Sequence, residues 1–115
     1  MSQLNQAFLN IVMNAAQAMH GGGVIMICAV RRKDCIEITI RDTGPGISDE
    51  VLPHIFEPHF TTKPAGEGTG LGLAIALESV VEHGGTINVD TREGSGTAFF
   101  IQLPLTVERV TELTA

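Results

Sequence analysis

The amino-terminal segment carries apolar side chains at helical spacing. Between Ser2 and Met19 an apolar residue recurs every three or four positions, as one face of an α-helix requires. Three consecutive glycines, Gly21–Gly23, then end the pattern. We therefore predict an amphipathic helix whose apolar positions are Leu4, Phe8, Ile11, Val12, Ala15 and Met19.

Two strand patterns follow this helix. Residues Val24–Val30 form a continuous run of apolar and β-branched side chains, whereas isoleucines alternate with polar residues from Ile36 to Arg41. The charged segment Arg31–Asp34 lies between the two runs. Together these patterns predict a β-hairpin with a charged tip.

The middle of the chain is irregular. Ser48 can cap a short helix over Asp49–Leu52, and Pro53 limits that helix. Prolines and glycines then interrupt every regular pattern from His54 to Gly68. A loop of this length inside a small domain is typically functional, and we predict that it acts as a lid.

A second amphipathic helix is predicted after the loop. It ends at Gly84-Gly85, and Glu78 and Glu82 face water. Its predicted apolar stripe consists of Leu71, Ala74, Leu77 and Val81.

The carboxyl-terminal part predicts a second hairpin. Thr86–Asp90 and Thr97–Leu103 read as strands on either side of Gly94–Gly96. We assign residues 1–104 to one domain, and residues 105–115 to a polar tail with little periodicity.

Composition narrows the function classes. The 115 residues carry 7 Lys and Arg against 13 Asp and Glu, a formal net charge of −6, so we expect no binding to nucleic acid or to anionic membranes. The longest apolar run, Gly23–Val30, is too short to span a bilayer, and no secretory signal is visible. We expect a cytoplasmic domain, and a membrane anchor elsewhere in the parent protein is compatible with this.

The two cysteines do not predict a metal site. Cys28 and Cys35 have no second Cys or His pair at ligand spacing, which argues against zinc. Without a sign of secretion a disulfide is not expected either. We predict two reduced, partly buried thiols.

The strongest chemical signal is the glycine-rich stretch Gly66–Gly72, which places four glycines in seven positions directly before the second helix. A loop without Cβ atoms lets backbone N–H groups converge on an anion, and the helix N-terminus adds its unpaired donors and its positive dipole end. The stretch therefore predicts a phosphate-binding loop.

Two asparagines add a second signal. Asn10 and Asn14 lie one turn apart and project from the same face of the first helix. An amide oxygen is a neutral, hard ligand that suits one position on Mg²⁺. Taken alone, the pair fits the solvated side of an amphipathic helix better, and only the glycine loops favour a functional interpretation.

A third signal is the turn Asp42–Gly46. Gly44 and Gly46 permit close backbone approach and positive φ, and a carboxylate at the bottom of an apolar pocket can accept the exocyclic amine of adenine. Taken alone, such a segment is more often a plain turn in which Asp bonds its own backbone. Thr97 can complete the pocket through its hydroxyl, or be an ordinary strand threonine; the sequence does not decide between them.

Lys63 is the one lysine of the predicted lid, and it can reach a β- or γ-phosphate on its flexible stem. The alternative is a solvated loop cation. Phe56 and Phe60 can anchor the lid to the domain, or simply fill the core.

Four segments together resemble the conserved boxes of sensor histidine kinases. They are Leu9–Ala15, Asp42–Ile47, Phe56–Lys63 and Gly68–Leu73, and they occur in the family's order and cover most of the chain. The family is the catalytic, ATP-binding domain of two-component sensor kinases, in the superfamily of gyrase, the ninety-kilodalton heat-shock chaperone and mismatch-repair ATPases. The amino-acid sequence of the lid is most similar to that of the nitrogen-regulation and dicarboxylate-sensing branch.

The resemblance implies an α+β fold of Bergerat type. This is a two-layer α/β sandwich in which three helices cover one face of a mixed, mostly antiparallel sheet, with ATP held between helix and lid. His59 departs from the apolar residue usual at its position in this lid.

The resemblance also implies roles for individual residues. Asn14 would ligand Mg²⁺, Asn10 would lie beside the phosphates and Asp42 would bind adenine. Lys63 would stabilise the transferred charge, and together with Asn10 it is a candidate catalytic residue. The remaining candidate nucleotide contacts are Gly44, Gly46, Thr61, Thr62, Gly68, Thr69, Gly70, Leu71, Gly72 and Thr97.

Asn10 stands where the ATP-hydrolysing relatives carry a water-activating glutamate, and an amide cannot be a general base. Slow hydrolysis and phosphoryl transfer to a histidine on a separate dimerisation domain are therefore expected, with a response regulator downstream. The phosphoacceptor motif is not in this chain, which resembles an excised, monomeric catalytic domain. A non-catalytic nucleotide-sensing module and a serine kinase that controls a sigma factor are the alternatives.

Overall fold

The computed structural model of the protein describes residues 3–20, 22–60 and 71–105. The predicted order of helices and strands is confirmed in this part of the chain. The elements are α1 (Gln3–Ala18), β1 (Ile25–Arg31), β2 (Cys35–Asp42), a 3₁₀ turn (Leu52–His54), α2 (Gly72–Glu82), β3 (Thr86–Arg92) and β4 (Gly96–Pro104).

The four strands form one sheet in the order β1-β2-β4-β3. Both predicted hairpins are present, and every strand pairing among the described residues is antiparallel. In the chain, α2 lies between β2 and β3, and β3 forms the edge of the sheet opposite β1. Strand β4 then lies between β2 and β3 and pairs with both. The register places Thr97 opposite Asp42 on one side and opposite Thr91 on the other.

Both helices pack on one face of the sheet and form a two-layer α+β sandwich, as expected. Alternation along the strands sends one set of side chains toward the helices, and these side chains build a single aliphatic core around Phe99. Phe56 meets Phe99 edge-on with 6.4 Å between ring centroids, which fits the predicted anchor. The buried core consists of Ala7, Ile11, Ile40, Ile55, Leu73, Ala76, Val80, Phe99 and Ile101.

The prediction of a short helix in the middle of the chain was wrong. The short helix expected over Asp49–Leu52 is a turn followed by the 3₁₀ segment Leu52–His54, so the described residues hold two α-helices where the resemblance implied three. A proline in its first turn lacks an N–H that such a turn leaves unpaired, and the segment ends after three residues.

The predicted apolar stripe of α2 was also wrong in phase. Leu73, Ala76 and Val80 are buried, whereas Val81, which was expected inside, is 59% exposed. Nearly every residue in the first two turns of α2 is apolar, so residue spacing alone leaves the inward face undetermined. Glu78 and Glu82 face solvent as predicted.

The edge strand β1 is more exposed than its sequence suggests. All of its residues after Ile25 are exposed, and Ile27 is 61% exposed although it pairs with the buried Ile40. The prediction of partly buried thiols was therefore wrong for Cys28, which is exposed, and Cys35 is intermediate; both are free. In the described ranges, neither helix has the length and apolarity to cross a bilayer.

Candidate functional site

Asp42 is the buried carboxylate of the site. It is the last residue of β2, and only 7% of it is exposed. Its Oδ1 accepts a hydrogen bond from the Gly44 N–H at 2.8 Å, which is the local bond expected for a plain Asp turn. A carboxylate offers two oxygens and about four lone-pair directions, so this one bond leaves capacity for an external donor.

Thr97 lies beside Asp42 on β4 and is 5% exposed. Its hydroxyl oxygen is 2.8 Å from the hydroxyl oxygen of Thr91 on the neighbouring strand. Thr91 Oγ1 also accepts the Ile47 N–H at 2.9 Å, which joins the turn after Asp42 to the β3–β4 hairpin.

Two glycines allow this turn and the hairpin to touch through their backbones. Gly46 has φ +75°, and a Cβ there would overlap the Arg92 carbonyl. Gly96 has φ +96°, and a Cβ there would overlap the Asp42 carbonyl. The Gly94 N–H donates to the Pro45 carbonyl at 2.7 Å and adds a direct bond between the two segments. The predicted close approach and positive φ are thus confirmed at Gly46, whereas Gly44 does not have a positive φ.

Asn14 completes this end of the site from the helix layer. Asn14 lines the same cleft as Asp42 and Thr97, and this cleft has a volume of about 270 Å³ including its open mouth. Most of the wall is apolar, and one carboxylate, one hydroxyl and one amide are set into it, an arrangement suited to a flat base that carries an amine. The other lining residues are Ala15, Ala18, Pro45, Gly46, Ile47 and Phe99.

Asn10 lies one turn earlier on α1, about 6 Å along the helix axis. A Cβ built on Gly72 would lie 3.8 Å from the Asn10 Cβ, so this asparagine sits against the first residue of α2. Its Oδ1 accepts the Gln6 side-chain amide at 3.2 Å. The site therefore runs along α1, from the Asp42 cleft past Asn14 to the N-terminus of α2.

The structure thus brings Asn14, Asp42 and Thr97 together, with Gly44 and Gly46 shaping the turn beside them. Leu71 precedes α2 and its carbonyl accepts the Ile75 N–H at 2.9 Å. His59, which departs from the apolar residue usual in this lid, is exposed and has φ +66°. The predictions for Thr61, Thr62, Lys63, Gly68, Thr69 and Gly70 lie outside the described residues.

Sequence reasoning missed Thr91. The signal was present, because Thr91 follows Ile87 and Val89 at a period of two and thus shares their inward-facing side of β3. The register between β3 and β4, which places it opposite Thr97, was needed to give it a role.

The chain is similar in sequence to known proteins. A sequence profile described as "Histidine kinase-, DNA gyrase B-, and HSP90-like ATPase" matches residues 1–107. The chain is 44% identical over 107 residues to the sensor histidine kinase ZraS of Escherichia coli, which covers 93% of this chain and 23% of ZraS. It is 40% identical to sporulation kinase A of Bacillus subtilis, covering 90% of this chain and 17% of that kinase.

Solved structures show the same fold. The mycobacterial sensor histidine kinase MprB matches with a TM-score of 0.78 at 35% identity, covering 89% of this chain and 72% of that chain. The catalytic domain of the histidine kinase ThkA matches with a TM-score of 0.76 at 35% identity, covering 89% and 67%. The chain spans less than a quarter of the length of the two curated relatives described above. By sequence and by fold, it belongs to the histidine kinase-, DNA gyrase B- and HSP90-like ATPase family, as a catalytic domain of the histidine kinase type.

Proposed function

We propose that this chain binds Mg²⁺-ATP in the cleft between α1 and the Asp42 turn, and transfers the γ-phosphoryl group to a histidine on the dimerisation domain of its parent kinase. One observation carries the proposal: Asp42 and Thr97, both more than nine-tenths buried, line one apolar cleft with Asn14. A full-length relative, ShkA, which is 30% identical over the matched region, has been solved with the ATP analogue AMPPNP.

The Asp42 end of the cleft recognises the base. The carboxylate accepts a hydrogen bond from the exocyclic amine of adenine, and Thr97 offers its hydroxyl oxygen to the base. Ile47 and Phe99 supply apolar wall on which the base displaces water. Guanine presents a carbonyl where adenine presents the amine, so a buried carboxylate at this position disfavours GTP.

The other end of the site holds the phosphates. Asn14 offers a neutral oxygen ligand to Mg²⁺, whose bound charge neutralises the phosphate oxygens, and Asn10 lies beside the N-terminus of α2, where unpaired N–H groups favour an anion. In residues 3–20, 22–60 and 71–105, no group of three or more His, Cys, Asp or Glu side chains is placed to hold a metal ion. We propose that the ion arrives with the nucleotide. We propose that Lys63 and the Gly68–Gly72 stretch add donors from the loop.

Phosphoryl transfer then depends on positioning. The acceptor histidine nitrogen forms a bond to the γ-phosphorus in line with the β,γ-bridging oxygen, the bond to that oxygen breaks, and ADP leaves. Asn10 cannot deprotonate water, so this site disfavours hydrolysis. The phosphohistidine would next supply a response regulator, and the isolated catalytic domain would be a monomer.

Calorimetry tests the nucleotide site. Asp42→Asn replaces half of the acceptor carboxylate with a donor amide, which would face the adenine amine, so affinity for Mg²⁺-ATP should fall by tenfold or more. Asp90→Asn, an exposed carboxylate on β3, is the matched control and should bind as the wild type does. Unchanged affinity in Asp42→Asn would remove the base assignment.

A transfer assay tests the reaction. The chain is mixed with the dimerisation domain of the parent kinase and γ-labelled ATP, and the expected product is an acid-labile phosphohistidine. Acid-stable phosphate on a protein substrate would select the serine kinase alternative. Nucleotide binding without any transferred label would select the non-catalytic module.

A further inference from the structure

Thr91 links two walls of the cleft without lining it. It is half-buried on β3, directly across from Thr97 on β4. Its side chain contacts the Ile47 N–H and Thr97 Oγ1, and both Ile47 and Thr97 line the cleft. A side chain in this place acts on the ligand only through its neighbours.

The single hydroxyl of Thr91 has three partners. It accepts the Ile47 N–H at 2.9 Å, it donates to the Gly96 carbonyl at 3.1 Å, and it lies 2.8 Å from Thr97 Oγ1. A threonine hydroxyl has one proton and two lone pairs, so these contacts use its full capacity.

The direction of the Thr91 hydrogen bonds determines whether the Thr97 hydroxyl can donate to a ligand. Because the Thr91 hydroxyl donates to the Gly96 carbonyl, the 2.8 Å contact requires the Thr97 hydroxyl to donate to Thr91. Thr97 therefore offers only lone pairs to a ligand.

We propose that Thr91 is a positioning residue for base recognition, which holds the Thr97 hydroxyl in the wall of the cleft with its lone pairs available to the exocyclic amine that also donates to Asp42. This inference rests on the proposed nucleotide site. Two hydrogen-bond acceptors, at Asp42 and at Thr97, match the amine of adenine, which has two N–H groups. Guanine has a carbonyl at this position, and neither acceptor can bond it.

The test compares Mg²⁺-ATP affinities by calorimetry. Thr91→Val keeps the branched shape and removes the hydroxyl, and we expect about three- to tenfold weaker binding, the worth of one hydrogen bond. Thr91→Ser restores the hydroxyl and should bind within about twofold of the wild type. Thr86→Val makes the same change at an exposed position of β3 and should have no effect. Thr91→Ala replaces Thr91→Val if the valine variant does not fold.

A double-mutant cycle separates positioning from general support of the fold. If Thr91 acts through Thr97, Thr91→Val should weaken binding markedly less in a Thr97→Val background than in the wild type. Equal effects in both backgrounds, or a failure of Thr91→Ser to restore affinity, would overturn the inference. If Asp42→Asn weakens binding and Thr91→Val does not, the inference is wrong and the base assignment of Asp42 stands. If neither variant weakens binding, the inference and the base assignment are both wrong.

Discussion

Strands β1 and β4 are both rich in apolar residues, but their environments are opposite. In β1 every residue after Ile25 is exposed, whereas the run from Gly96 to Phe99 in β4 is buried. The difference comes from their places in the fold: β4 pairs on both sides and contributes Phe99 and Ile101 to the core, whereas β1 lies at an edge and only its Ile25 packs against the core. Apolar composition therefore does not locate the core. The candidate site lies at the start of β4, where the sheet is covered.

The largest contrast should appear in stability. Ile101→Ala removes a fully buried side chain from β4, and we expect a loss of about 2 to 5 kcal/mol in the free energy of unfolding. Ile27→Ala makes the same change in β1, where the side chain is 61% exposed, and should cost less than about 1 kcal/mol. Urea unfolding measures both. Equal losses would show that β1 is covered in solution.

A smaller effect is expected at the start of β4. Gly96→Ala places a Cβ against the Asp42 carbonyl at a positive φ, so it combines backbone strain with overlap and should cost about 2 kcal/mol or more. Gly94→Ala is the control, because its φ is also positive, at +82°, and nothing lies within 4 Å of the added Cβ. It should cost only the strain, about 1 to 2 kcal/mol. The two melting temperatures, compared in one buffer, decide whether overlap adds to strain.

The smallest effect concerns access rather than stability. Cys28 on β1 is exposed and Cys35 on β2 is intermediate, so a maleimide should modify Cys28 first, in the native state and without loss of fold. Cys28→Ala should remove the fast phase, and Cys35→Ala should leave it. Mass spectrometry of the native protein over time gives both rates. A slower Cys28 would mean that another surface shields the β1 edge.

Much of the fold followed from local pattern. The glycines after α1 and α2 and the charged hairpin tip marked the element order, because each is a strong local signal. The inward face of α2 could not be predicted, since its first turns are apolar on all sides. The exposure of β1 could not be predicted either, because edge position is a property of the whole sheet.

The candidate site, like the fold, could be predicted only in part from the sequence. The turn, the helical spacing and the family resemblance predicted Asp42, Asn14 and Thr97 as site residues, and the structure brings these three into one cleft. Thr91 was missed because its role depends on a pairing between strands rather than on its neighbours in the chain. A residue that acts on a ligand through a residue of the neighbouring strand leaves little signal in the sequence.

The contact between the Asp42 turn and the β3–β4 hairpin has a consequence for protein engineering. Gly46 rests on the Arg92 carbonyl and Gly96 on the Asp42 carbonyl, so each segment is shaped to the main chain of the other. A chimera that takes residues 42–47 from a relative but keeps its own residues 91–97 would join two segments whose backbones are not shaped to each other. The transferable unit for altering nucleotide preference is the pair of segments, exchanged together.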